Sequence, residues 1–413
     1  MTQIDRSPPP RLSWTIVLFG FAALSLAFSA RAALGLIMPV WQAEFGWSSR
    51  FISGVGASAL IVMALVAPFA GRLVNRKGPR FTLNLGLGLL CIGCALVAAM
   101  TGQAMFMLGF AGFAALGFGI VATHVVATAV ARSFTARAGL ATGVATSGAT
   151  GGQFLILPLI ASLMAIASWR WSFAVLALAC LVLIPCVCRS LKDAGGAKAM
   201  GRTLGTGPGL THDLRTVLRR PTFHLLFWSF LICGFTTTGV IETHLLPFAA
   251  FCGFGPVPSA GAYGLLSAVN LIGMIAAGWL SDRVNRGRLL AGIYLLRALA
   301  FLLLVNMPGS SIETLFLFGI LFGAVDYATV PVTASLVASH VGLRSMGLAM
   351  GMISAGHAIG GALGAYLGGY VFDTTMGYRL LWIGSLWLAV VAGVMVLFIG
   401  EGRDAKPISE AHE

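Results

Sequence analysis

Long apolar runs alternate with short polar interruptions along the whole chain. Crossing the hydrocarbon core of a bilayer takes ~20 mostly apolar residues in helical form. On that rule the runs predict membrane-spanning helices at about 14–38, 51–70, 81–100, 104–130, 139–165, 171–188, 222–250, 259–280, 288–307, 313–340, 346–371 and 379–400, twelve in all. The first run exceeds the ~7–15 apolar residues of a signal-peptide core, so it reads as the first span.

The polar interruptions carry a second pattern. Gly71-Arg72-Leu73-Val74-Asn75-Arg76 opens the one between helices two and three, and Gly278-Trp279-Leu280-Ser281-Asp282-Arg283 opens the one after helix eight. Both read Gly-x-x-x-(Asn/Asp)-Arg, 207 positions apart. Other markers repeat at nearly the same offset. Pro39 and Pro247 are 208 apart, as are Gly139-Leu140-Ala141-Thr142-Gly143 and Gly347-Leu348-Ala349-Met350-Gly351. Trp169-Arg170 and Tyr378-Arg379 are 209 apart. The longest polar stretch, glycine-rich at Gly195-Gly196 and over 201–209, falls between the copies and reads as a flexible linker. The expected organisation is a tail over 1–13, a six-helix bundle over 14–188, a linker over 189–221, a second six-helix bundle over 222–400 and a tail over 401–413.

Charge then orients the helices. The tails and even-numbered loops hold 21 Lys and Arg, the odd-numbered loops only Arg50, Arg170 and Arg379. Basic loops stay on the cytoplasmic side, which predicts cytoplasmic termini. Composition agrees with membrane burial: 58% hydrophobic, 9% charged, mean hydropathy +0.92, against roughly 25% charged in soluble domains. The net charge of +13 is thus topological and gives no reason to expect nucleic acid. Cys91 and Cys94 match a CxxC spacing but lie inside a predicted span with no second pair nearby, and read as packing residues. Neither a nucleophile–base pair nor metal-ligand spacing stands out, so no enzyme, cofactor or metal is expected.

The repeated basic motif between membrane-length helices resembles the loop between helices two and three of major facilitator superfamily transporters. The first copy departs from that pattern, with Asn75 where Asp is usual; the second keeps Asp282. The resemblance spans about residues 14–400. Arg31-Ala32-Ala33-Leu34-Gly35 before Pro39, then Gly46-Trp47-Ser48, looks like bacterial members of the monocarboxylate and oxalate–formate branch. Helix eight departs from that branch, whose carriers typically hold the carboxylate with a cation there; here its most polar residues are Ser267 and Asn270. The resemblance implies an all-α integral membrane fold of two pseudo-symmetric six-helix bundles, monomeric and resident in the inner membrane. It also implies secondary transport by alternating access of a small organic anion, moved with a proton or exchanged for another anion. The rival expectation is a proton-driven exporter of hydrophobic compounds.

Charges inside a membrane are costly and mark function. Four stand out: Arg31, Glu242, Arg297 and Asp326. Subtracting the repeat offset sets Glu242 at the level of Leu34, so Arg31 and Glu242 are expected to face each other, as a binding pair or an outer gate. Arg31, Glu242, His357 and Asn270 are the substrate-binding candidates, and Glu242 and Asp326 the proton-coupling candidates. Arg297 and Asp326 are expected to form a structural charge pair. His124 and His244 read more simply as packing histidines. Gly71, Asn75, Arg76, Gly278, Asp282 and Arg283 form the candidate cytoplasmic gate motif, in which Asp282 pairs with the start of a facing helix. Small residues at four-residue intervals, Gly356, Gly360, Gly364 and Gly368 in helix eleven and Gly143, Ser147 and Gly151 in helix five, predict close helix approach. The resemblance places these ridges between the halves.

Overall fold

A computed structural model describes residues 10–134, 136–191 and 210–400. Eleven helices in it are long and apolar enough to cross a membrane. One of them, Ser49–Ala98, has 50 residues and bends at Gly78, where φ is +81° and Pro79 follows. A left-handed φ suits glycine, and the proline withholds the next N–H. The bend divides this helix into helices two and three, so the chain crosses twelve times. Helix one is Pro10–Phe45 and helix six Trp169–Ser190; helices eight, nine, eleven and twelve are Pro256–Ser281, Arg286–Val305, Met346–Thr375 and Arg379–Leu397. A membrane offers no water to unpaired backbone groups, so each crossing satisfies its own hydrogen bonds as a helix.

Helices four and ten are each interrupted. Helix four runs from Gln103 to Ile120, passes through Val121 and Ala122 in non-helical conformation, and resumes as Thr123–Ala131. Gly117 and Gly119 weaken the turn before this break. Helix ten comprises Ile312–Val325 and Thr329–His340. Pro331 accounts for that interruption, because proline is tolerated in a helix's first turn and disruptive further along. Helix seven is continuous through a widened, π-helical stretch, Phe235–Ile241, between Pro221–Gly234 and Glu242–Phe251.

Glycine contacts follow the repeat into three dimensions. Gly139 packs on Gly278, and its counterpart Gly347 packs on Gly71, so helix five meets helix eight as helix eleven meets helix two. A Cβ on Gly347 would lie 1.8 Å from the Gly71 carbonyl oxygen, so no larger residue fits. Within each half the match repeats: Gly148 and Gly152 rest on Phe21 and Ser25 of helix one, Gly356 and Gly360 on Phe227 and Leu231 of helix seven.

This corrects the expected place of the helix-eleven ridge. Gly356, Gly360, Gly364 and Gly368 all face helix seven within one half, whereas Gly347 and Gly351 make the contact across halves. On helix five Gly143 does cross, against Met274 and Gly278, and Gly151 touches both Phe21 and Leu271. The linker also differs from expectation. Leu210–Leu218 is a helix that buries Val217 completely and joins Asp213 to Arg72 at 3.4 Å. The glycine-rich stretches of the linker, most of the N-terminal tail and the C-terminal tail lie outside the described residues.

Candidate functional site

A central cavity of about 80 Å³ lies between the halves at the depth of the two helix breaks. Arg31 lines it from helix one, Ala122, Thr123 and His124 from the helix-four break, Thr238 from helix seven, Tyr327 from the helix-ten break, and Ser354 and His357 from helix eleven. Phe28, Phe118 and Phe230 supply apolar wall. Sequence reasoning had put Arg31 and His357 among the binding candidates, and the fold brings both to this cavity.

Arg31 stands without a counter-charge. Its guanidinium lies over the Phe28 ring, 4.7 Å from the centroid, and makes no hydrogen bond or ion pair to any described residue. A guanidinium carries five donors in a planar fork suited to a carboxylate. The expected Arg31–Glu242 pair is absent. Glu242 instead accepts a hydrogen bond from the Tyr327 hydroxyl at 2.9 Å. The helix-ten break turns Tyr327 into the space between helices seven and ten, and a depth estimate from helix one alone could not foresee that.

The expected Arg297–Asp326 charge pair is also replaced. Arg297 is fully buried and uses its fork on neutral oxygens: the Val325 carbonyl at 3.0 Å, the Asp326 carbonyl, and the Thr236 and Thr237 hydroxyls at 3.0 Å each. The reason is the break itself. It leaves carbonyls of Ile312–Val325 without intrahelical partners, and a cation at a helix C-terminus opposes the negative end of the dipole. The Asp326 carboxylate turns away to Asn270, whose Nδ2 donates to Oδ2 at 3.2 Å. Asp326 Oδ1 is buried without a hydrogen-bond partner among the described residues.

Asn270, expected at the substrate, lies off the cavity and is 2% exposed. Its Oδ1 accepts from the Tyr327 backbone N–H at 3.1 Å, and Nδ2 also donates to Thr150 Oγ1 at 3.2 Å. Thr150 belongs to helix five, so this amide joins the halves beside the buried carboxylate. The sequence analysis missed Thr150, Thr236, Thr237 and Tyr327, since a hydroxyl in an apolar run carries no pattern. Only Pro331 signalled the break that gathers three of their partners.

At the motif end of the bundle the two copies behave differently. Asp282 accepts from the backbone N–H groups of Gly139 and Leu140 at 2.8 and 2.9 Å, at the first turn of helix five. Asn75 Oδ1 accepts from Arg132 Nη1 at 3.0 Å, while Nδ2 donates to the Arg344 carbonyl at 2.8 Å. Arg132 sits just past the end of helix four, where burial lowers its pKa from the usual guanidinium value. The motif's own arginines take no part in either clasp: Arg283 stacks on Trp279 at 4.0 Å and Arg76 is exposed. Helices one and seven, by contrast, share no extended contact.

Residues 20–310 and 273–413 match the model of the family described as Major Facilitator Superfamily. An uncharacterized MFS-type transporter of Bacillus subtilis (strain 168), YcxA, is 24% identical over 95% of this chain and 93% of its own. Monocarboxylate transporter 13 of Rattus norvegicus is 24% identical over 82% of this chain and 78% of its own. Among solved structures, the proton:xylose symporter XylE superposes with a TM-score of 0.73 at 16% identity, over 95% of this chain and 96% of that one.

Proposed function

This chain belongs to the Major Facilitator Superfamily, and from that premise we propose that it carries a small organic anion, monocarboxylate-like, across the inner membrane by alternating access. Its place in the family makes it a transporter and not an enzyme. One observation carries the choice of substrate: Arg31 lines the central cavity as a cation with no ionic or hydrogen-bonding partner among the described residues. An unpaired charge at membrane depth is costly, and a bound carboxylate removes that cost. The similarity to a monocarboxylate transporter supports the same class.

The charge bias of the loops puts the motif end in the cytoplasm together with both termini. That end is held together by Asp282 and Asn75, so the cytoplasmic side is closed in the conformation described. Asp326 is the proposed proton carrier, because its buried Oδ1 has no hydrogen-bond partner among the described residues and its neighbour Asn270 touches the opposite half. Glu242 is the second candidate, coupled to the cavity through Tyr327. One amide, Asn270, links the Asp326 carboxylate to Thr150 of the opposite half.

The test uses proteoliposomes loaded with a pH-reporting dye and challenged with a panel of organic anions. Addition of a carboxylate is expected to acidify the lumen. Arg31→Gln should abolish transport, and Asp326→Asn should abolish acidification while exchange of labelled anion for unlabelled anion persists. A panel that stays silent in both assays, with export of a hydrophobic dye intact, would replace this reading with the drug-exporter one.

A further inference from the structure

The halves meet along two matching seams, helix five on helix eight and helix two on helix eleven. Helix five is Ala138–Thr146 continued as Gly148–Ile166. Thr150 lies on it between Gly143, which packs on Met274, and Gly151, which touches Leu271. It is 4% exposed; its hydroxyl accepts from Asn270 Nδ2 at 3.2 Å and points to Met274 Sδ at 3.9 Å. In the repeat, helix eight follows helix two at 207 and helix eleven follows helix five at 208. The counterparts of Asn270 and Thr150 are therefore Met63 and Ala358. Where one seam has a hydrogen-bonded pair, the other has a methionine and an alanine.

The same amide stands on the buried carboxylate. Asn270 is held at three points: Oδ1 accepts from the Tyr327 backbone N–H, and Nδ2 reaches Asp326 Oδ2 and Thr150 Oγ1. An amide nitrogen has two hydrogens, so each acceptor takes one. A hydrogen bond to an ionised carboxylate is roughly twice as strong as one to a neutral group. A neutral carboxyl accepts more weakly and has an O–H of its own to place. Protonation of Asp326 thus loosens the anchor that aims the second N–H at Thr150. The charged or titratable groups whose fields reach Asp326 are Arg297 of helix nine, Cys233 and Glu242 of helix seven, Tyr263 of helix eight and Tyr327 beside it. All of them belong to the C-terminal half. From the other half the seam brings Thr150, which carries no charge.

We propose that Thr150 is the positioning residue through which the N-terminal half reads the protonation state of Asp326. Ionised Asp326 keeps Asn270 on Thr150 and favours the conformation closed at the cytoplasmic side. Neutral Asp326 releases the seam and lets the halves rock. The proposal rests on the reading of Asp326 as the proton carrier and adds the residue that passes its state across.

The experiment uses the full-length protein in liposomes without substrate, in a cysteine-depleted background. Spin labels replace the exposed Arg76 and Arg283, one in each half. Pulsed distance measurements over a pH series give the ratio of open to closed cytoplasmic ends. Falling pH should raise that ratio about tenfold, the difference between a charged and a neutral hydrogen bond. Thr150→Val removes the hydroxyl and keeps the shape, so its ratio should be high at every pH and vary within about twofold. Thr150→Ser should restore the native response. Asp326→Asn should hold the ratio at its high value, and adding Thr150→Val to it should change nothing more, as for groups acting as a unit. A native ratio that ignores pH overturns the proposal, as does a native-like response in Thr150→Val or a flat one in Thr150→Ser. The native profile and the serine variant decide the matter even where the valine variant fails to fold. The motif end has carboxylates of its own, Asp213 and Asp282, and a response that persists in Asp326→Asn belongs to them. In that case the proton-carrier reading falls and this proposal with it. A response lost in Asp326→Asn but kept in Thr150→Val overturns this proposal alone.

Discussion

The breaks in helices four and ten occupy matching places in the two halves, and the halves finish them in opposite ways. In the C-terminal half, Arg297 and Asn270 satisfy the exposed backbone and sit fully buried. In the N-terminal half, the break is left uncapped and faces the cavity with Arg31. The motif end differs in another way: Asp282 accepts from two backbone N–H groups of helix five, whereas Asn75 accepts from the Arg132 side chain and donates to the Arg344 carbonyl. At the helix breaks, the C-terminal half has its polar side chains engaged on the backbone, and the N-terminal half leaves its break without a side-chain cap. Two halves built on one plan can thus divide the work of holding shape and holding ligand.

The largest effect should come from removing the cap of the closed break. Arg297→Met leaves buried carbonyls and hydroxyls without donors, and is expected to cost on the order of 3–5 kcal/mol. Thermal unfolding in detergent should show this as a clear fall in midpoint, and an unchanged midpoint would mean the arginine is not the cap. Next comes Asp282→Asn, which makes the second motif resemble the first. Loss of a carboxylate receiving two N–H groups should cost about 2–3 kcal/mol of the clasped state. Spin labels at the exposed positions Arg76 and Arg283, in a cysteine-depleted background, should report a longer distance across the motif end.

The converse change is smaller. Asn75→Asp gives up the bond to the Arg344 carbonyl but gains a charged partner for Arg132 and an acceptor for the start of helix eleven. The net gain should be about 1 kcal/mol in favour of the clasped state, seen as slower turnover and a narrower label distribution. Turnover equal to that of the native protein would remove any role for the asymmetry. The smallest effect sharpens the comparison from the other side. Thr123→Pro should change the unfolding midpoint little, by less than about 1 kcal/mol, because the open break has no internal hydrogen bond there to lose.

Much of this was legible before the fold was known. The twelve crossings, the paired motifs and the glycine matches at 208 all follow from hydropathy and repetition, and two of the binding candidates, Arg31 and His357, line one cavity. The partners were not. Arg31 and Glu242 looked like a pair because counting along ideal helices set them at one level, yet Tyr327 takes the carboxylate. Arg297 and Asp326 looked like a pair because their charges cancel, yet a helix break supplies nearer acceptors. Asn270 looked like a ligand contact because it is the most polar group of its helix together with Ser267, yet it is buried between Thr150 and Asp326.

The sequence by itself determined which segments are helices and how the two halves correspond. Lipid forces every crossing to satisfy its backbone locally, so length and apolarity suffice to find it. Only the tertiary structure decided which polar group meets which. A break or bend re-aims every side chain beyond it, and the groups that converge there come from four different helices, whose mutual rotation no single run of residues encodes.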